Sequence, residues 1–295
     1  MKRRNIDKGV RSAFTLIALF SITALILIML FLVKEGYPIF ETVSVKEFIT
    51  GKLWYPTDSD PAFGILPLIA GSVAVTLFSG LIAIPLGIMT AIYLAEIAPR
   101  RVAEIVKPVV ELMASMPSVV IGFFGMVVVA PFIQEVFNVP VGLNIFNAGL
   151  MLAFMAVPTI CSISEDAIFS VPAALKEASF ALGATHFETI FKVTVPASIS
   201  GICTAIILGL SRAVGETMVV LMAAGGSAMM PGSIFDPSRP MPASIAAEMA
   251  EAPYGSDHYH ALFAIGVVLF IFTFLFNLIA DYISHRFRQV GEASL

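Results

Sequence analysis

Residues 177–196 read Glu-Ala-Ser-Phe-Ala-Leu-Gly-Ala-Thr-His-Phe-Glu-Thr-Ile-Phe-Lys-Val-Thr-Val-Pro. This is a water-compatible stretch between long apolar runs, and its internal signals are strong. Pro172 suits the first turn of a helix, where its missing N–H costs nothing. That helix is expected to run to about Leu182, with Gly183 supplying the left-handed residue that ends it. Thr185 and Glu188 have the spacing of a capping box, so a second helix is expected from His186. Phe187, Ile190 and Phe191 give that helix an apolar face. Such a face needs a surface to lie on. Only Lys176 and Lys192 are near enough to meet anionic headgroups, so lipid is the weaker choice. A cleft on a protein partner fits better, with Gly183 permitting a close turn there.

Outward from this stretch, the chain is written for lipid. It is 58% hydrophobic and 13% charged, with a mean hydropathy of +0.93. A soluble domain carries about 25% charged residues. The net charge of −4 says little, because placement matters more than sum. Spanning a bilayer takes about 20 apolar residues. Six runs qualify, at about 12–33, 66–94, 109–133, 148–164, 201–225 and 261–283. Helices are the default, since a backbone in lipid must satisfy its own hydrogen bonds. The first run is too long for a signal peptide and lacks a small-residue cleavage site.

Orientation follows from the basic residues. With the N-terminus inside, the inner segments hold twelve Lys and Arg and the outer loops hold Lys34, Lys46, Lys52 and Arg239. Both termini and the 177–196 stretch are therefore expected on the cytoplasmic side. Of the outer loops, 34–65 carries the only tryptophan, Trp54, next to Tyr55, a pair that reads as an interfacial anchor or a contact for an external protein. Residues 226–260 are rich in Gly and Pro, with a short helix expected at about 242–252. His258 and His260 flank Tyr259, without an evident third ligand for a metal. Cys161 and Cys203 read as small buried hydrophobes.

One cation lies within the apolar runs. Arg212 falls near the middle of the fifth, where an Arg costs about 2.5–3.5 kcal/mol on insertion scales. Glu216 follows four residues later, which on one helix puts both on one face. Two readings stand: an internal ion pair that helps pack the bundle, or an anion path in which Arg212 presents planar donors to an oxyanion. Glu165 and Asp166 close the fourth run and read as interfacial. Pro85, Pro117 and Pro158 lie within runs, and Pro117, between Ser115 and Ser118, is the candidate for a break. No phosphate-cradling G-x-x-x-x-G-K-[ST] is present, so ATP would have to act through another subunit. No Ser/His/Asp or Cys/His set and no H-E-x-x-H supports an enzyme, and a nucleotide-independent channel is the other rival.

Glu177, Ala178, Gly183 and Pro196 have the spacing of the "EAA" loop, and the 177–196 stretch resembles that of ABC-importer permeases. It departs from the pattern at Ser179, usually Ala, and Val195, often Leu. Further segments are similar to phosphate-importer permeases: residues 63–72, 115–122, 211–218 with Arg-x-x-Gly-Glu-Thr, 244–249 and 258–263. Together they look most like the PstC type, over roughly residues 60–285, with the sister PstA type as the alternative. The resemblance implies an all-α membrane protein with six transmembrane helices, of the type I (MetI-like) importer permease architecture. It implies a tail, first helix and external loop over 1–65, a permease core over 66–285 with the coupling loop at about 170–197, and a cytoplasmic tail over 286–295. It implies ATPase coupling through Glu177, Ala178 and Gly183, and a substrate path at Arg212 and Glu216. The implied partners are a PstA-like permease, two PstB-like ATPases, an extracellular PstS-like phosphate-binding protein and membrane lipid. No cofactor and no nucleic acid is expected.

Overall fold

The structure, a computed structural model, describes residues 2–292; the last three positions of the expected 286–295 tail lie outside the described residues. It is built of helices, with a short hairpin in which Trp54–Tyr55 pairs antiparallel with Ala62–Phe63. Among the described residues, five segments are long and apolar enough to cross a membrane: Ala13–Thr42, Leu66–Ile97, Ser118–Phe137, Ile145–Phe169 and Asp257–Ile279. A sixth crossing counts His186–Ala197 together with Ile199–Val214, which follows it at a 68° bend.

Three boundaries differ from those expected. The third run does not begin at 109. A separate amphipathic helix, Arg100–Ala114, ends at Ser115, and the span restarts at Ser118. Pro117 bars the residue before it from helical geometry, which makes this break sharp. The fourth span is longer than expected, because Asn144 caps it by accepting from the Asn147 N–H, and Pro158 is absorbed inside it. The fifth run is interrupted. Its helix stops at Val214, and a separate short helix, Met218–Ala223, follows Gly215.

The second and fourth spans form the centre of the bundle, and the fifth packs on them. Close approach is bought with glycine. Ile160 of the fourth span is fully buried and fills a notch between Gly87 and Gly209. A Cβ at Gly87 would lie 2.7 Å from Ile160 Cγ2, and one at Gly209 would lie 2.5 Å from its Cγ1. Small residues that admit a neighbour's side chain this closely are how helices associate in lipid, where apolar burial gives little drive. The first helix, Lys2–Gly36, stands on the outside, its side chains from Phe14 to Phe31 largely exposed, and meets the last span at Phe31 and Phe263.

At the hairpin end, Trp54 is 2% exposed. It is therefore no interfacial anchor: the cap packs it among Ile39, Phe48, Phe63 and Ile65, while Tyr55 stays exposed. Its indole N–H reaches Glu248, the last residue of the helix Met241–Glu248, where the 242–252 helix was expected. The same carboxylate takes Arg239 and, at 2.8 Å, His258 Nε2. His260 Nδ1 lies 2.7 Å from the Glu35 carbonyl oxygen. The two histidines thus stitch the cap rather than face one another.

Candidate functional site

Two places gather the residues singled out by the sequence. The first is the 170–197 loop. Its first helix is Ala173–Ala181, with Pro172 just outside it rather than in its first turn. Gly183 has φ +86°, the left-handed geometry that a side chain strains. Its N–H donates to Phe180 O at 2.9 Å and the Ala184 N–H to Ser179 O at 3.2 Å, the two bonds of a Schellman turn. The expected capping box is complete: Glu188 N–H donates to Thr185 Oγ1, and Thr185 N–H to Glu188 Oε2. Ser179 and Thr189 share a buried hydroxyl–hydroxyl bond of 2.9 Å that clamps the two helices together.

The second helix does not run on as an even amphipathic rod. After His186–Thr189 it widens into a π turn, Ile190–Thr194. Ile190 consequently points into the body and is 1% exposed, while Phe187 and Phe191 face out with ring centroids 4.7 Å apart. Glu177, Ala178 and Gly183 are all exposed, and Leu182 at the turn is 89% exposed. The loop presents an apolar knob beside a carboxylate.

The second place is the break after the fifth span. Arg212 lies in the last turn of Ile199–Val214 and is exposed on the flank of the chain, not buried in mid-helix as expected. Glu216 does not share its helix face, because the helix has ended at Gly215. Its Oε1 instead accepts from Met218 N–H at 3.2 Å and Val219 N–H at 3.4 Å, at the start of the next helix. Among the described residues no carboxylate lies within 4.0 Å of Arg212. Glu165 and Asp166 go elsewhere, to Lys107 at 3.1 and 3.4 Å.

The two side chains nevertheless border one crevice. It is too tight for water and is lined by Leu152, Met155, Ala156, Gly209, Arg212 and Glu216. A second tight crevice, of about 10 Å³, is lined by Glu216 together with Ser72, Thr76 and Pro240. Ser211 Oγ donates to Asn277 Oδ1 at 2.6 Å, tying the fifth span to the last one beside Arg212. Glu216 thus borders both crevices, one shared with Arg212 and the other with Thr76 and Ser72, whose hydroxyl accepts from the Met241 N–H at 2.8 Å. Ser72, Thr76 and Asn277 were missed in the sequence, where a polar residue inside an apolar run was the available signal. A helix of 16 residues is about 24 Å long at ~1.5 Å per residue, short of the ~30 Å hydrocarbon layer. The helix before the break is therefore too short to make a full crossing by itself.

Comparison with known proteins identifies the family. The family model for the binding-protein-dependent transport system inner membrane component matches residues 83–289. A probable ABC transporter permease protein, YqgH of Bacillus subtilis, is 43% identical over 278 residues, covering 94% of this chain and 90% of that one. The phosphate transport system permease protein PstC of Mesorhizobium japonicum is 35% identical over 258 residues, covering 81% and 78%. Among solved structures, the MetNI methionine ABC transporter in an inward-facing conformation superposes with a TM-score of 0.59 at 21% identity, covering 76% of this chain and 95% of that chain. That likeness shows the fold, an all-α bundle of the MetI-like type.

Proposed function

The chain belongs to the binding-protein-dependent transport system inner membrane component family, the multi-pass permease subunits of ABC importers, and from that premise we propose that it carries inorganic phosphate across the cytoplasmic membrane. The observation that carries this reading is the exposed Arg212 at the helix break, bordering one crevice with Glu216, in a chain 35% identical to a PstC phosphate permease. A guanidinium offers planar paired donors that match two oxygens of a phosphate, and its charge does not titrate away. Glu216 would hold the break in shape through the Met218 and Val219 amides, and its carboxylate would keep the anion's stay short.

In this reading a PstA-like second permease covers the flank that carries Arg212, and the path runs between the two chains. Two PstB-like ATPases dock on the 170–197 loop, taking Leu182 and Phe187 into a cleft beside Glu177, Ala178 and Gly183. A PstS-like binding protein delivers substrate on the Trp54 side. Both termini face the cytoplasm, in keeping with the Lys and Arg distribution. ATP-driven closure of the ATPases presses on the loop, and the bundle opens outward. The test is uptake of labelled phosphate into vesicles holding the complete complex, with and without ATP. ATP-dependent uptake supports the reading, and uptake without nucleotide would make the protein a channel. The YqgH name carries no substrate, which favours one second reading, a different oxyanion; competition by sulfate or arsenate in the same assay separates the two.

A further inference from the structure

The 170–197 loop is fastened to the body of the chain at a residue outside every motif described so far. Lys176, on the loop helix Ala173–Ala181, donates from Nζ to Glu96 Oε1 at 2.6 Å. Glu96 lies 80 positions earlier, in the π turn Tyr93–Ile97 that ends the second span. Its side chain is 8% exposed, and Lys176 is its ion-pair partner. A carboxylate so enclosed is costly unless a cation meets it. Around the pair, Leu94 and Ile190 sit in one buried cluster with Ile168 and Ile202, so the loop and the second, fourth and fifth spans share a joint. Both chain segments that meet there, Tyr93–Ile97 and Ile190–Thr194, are π turns, a widened helix geometry found mostly at functional positions. The apolar contacts of this joint can slide. The ion pair is directional and holds one point of the loop to one point of the span. Glu177, the next residue, is exposed, so neighbouring positions face the solvent side and the body in turn.

We propose that Lys176 and Glu96 are a positioning pair that transmits movement of the loop into the second span. The second span also carries Ser72 and Thr76 beside Glu216, so a push at Glu96 reaches the polar crevice along one continuous element, Leu66–Ile97. The proposal rests on the reading of 170–197 as the ATPase-docking loop.

The test uses the whole complex in vesicles, in a background lacking Cys161 and Cys203. A spin label on Met89→Cys, an exposed site on the second span, reports its movement, and labelled phosphate reports transport. The variants are Glu96→Gln, Lys176→Met, both together, and the exchange Glu96→Lys with Lys176→Glu. In the wild type, trapping nucleotide with vanadate shifts the label's spectrum. In the single and the double neutral variants the ATPase still copurifies and hydrolyses ATP, the shift is lost, and phosphate taken up per ATP falls at least tenfold. The exchanged pair regains at least half of both. The double neutral variant leaves no stranded charge and decides the matter where a single variant fails to fold. An unchanged shift in that variant overturns the proposal. So does loss of ATPase binding that the exchange does not reverse, since the pair is then only a brace. A wild-type chain that retains no ATPase sinks the docking reading itself, and the pair's role with it.

Discussion

Trp54 and Glu248 lie 194 positions apart and meet side chain to side chain, the indole N–H 3.1 Å from each carboxylate oxygen. Arg239 and His258 complete the ring around that carboxylate, which joins the hairpin, the Gly-rich strap and the start of the last span. Trp54→Phe removes one donor and leaves two. A hydrogen bond to a charged group contributes about 1.5–3 kcal/mol, so a loss near the low end, about 1.5 kcal/mol, is expected in thermal unfolding in detergent. Glu248→Ala strands Arg239 and should cost about 3 kcal/mol or more. Equal effects of the two substitutions would mean that the carboxylate is not the hub.

Ile160 fills the notch between Gly87 and Gly209. Ile160→Ala leaves a cavity that neighbouring helices close only in part, at a cost of about 2–5 kcal/mol. Gly209→Val places a branched side chain against Ile160 and should be at least as harmful. Both are read as lowered unfolding temperature and lowered yield of monodisperse protein, with Ile160→Val near wild type.

Gly183 has open space around its Cβ position but a positive φ. Its cost is therefore conformational, about 1–2 kcal/mol for a residue with a Cβ. Gly183→Asn, which tolerates this geometry, should retain most ATPase copurification. Gly183→Val should lose most of it while the protein stays in the membrane. Identical behaviour of the two variants would remove the turn from the docking argument.

The proposed cytoplasmic placement of this loop is open to direct measurement. Ser59 and Tyr254 are exposed at the hairpin end and Leu182 is exposed at the loop. In intact cells lacking the native cysteines, Ser59→Cys and Tyr254→Cys should react with a membrane-impermeant maleimide and Leu182→Cys should not. The reverse pattern inverts the topology.

Arg212→Gln keeps a polar side chain and removes a charge that, among the described residues, no carboxylate balances within 4.0 Å. The complex should assemble and phosphate uptake should fall at least tenfold. Arg212→Gln with Glu216→Gln should remain inactive, because the two groups serve different partners. Recovery of uptake in the double variant would show them to be a structural ion pair after all, and the path would have to lie elsewhere.

Where the sequence was legible, the signal was local. Thr185 with Glu188 and the Gly183 turn sit within a few residues of the structure they cause, and the structure forms them as expected. The apolar runs were legible too, because hydropathy reads lipid exposure directly. Run boundaries failed where backbone chemistry overrode hydropathy: Pro117 moved the start of the third span, and Gly215 cut the fifth. Arg212 and Glu216 were found as charges, yet their geometry was misread, since four-residue spacing places side chains only while one helix continues. Trp54 was misread because nothing nearby in sequence announces Glu248. The partners of Glu96 and Asn277, Lys176 and Ser211, were illegible for the same reason, being brought from distant segments by packing alone.

The early end of the fifth span has a consequence for the life of the protein before it is assembled. A newly inserted copy standing alone would hold a permanent cation on an uncovered flank, with its own Glu216 already committed to the Met218 and Val219 amides. Such an orphan cannot neutralise itself by giving up a proton. Water or a partner must meet that charge instead. The bilayer itself would then act as the inspector of subunit stoichiometry, sparing only those chains whose flank another subunit has covered.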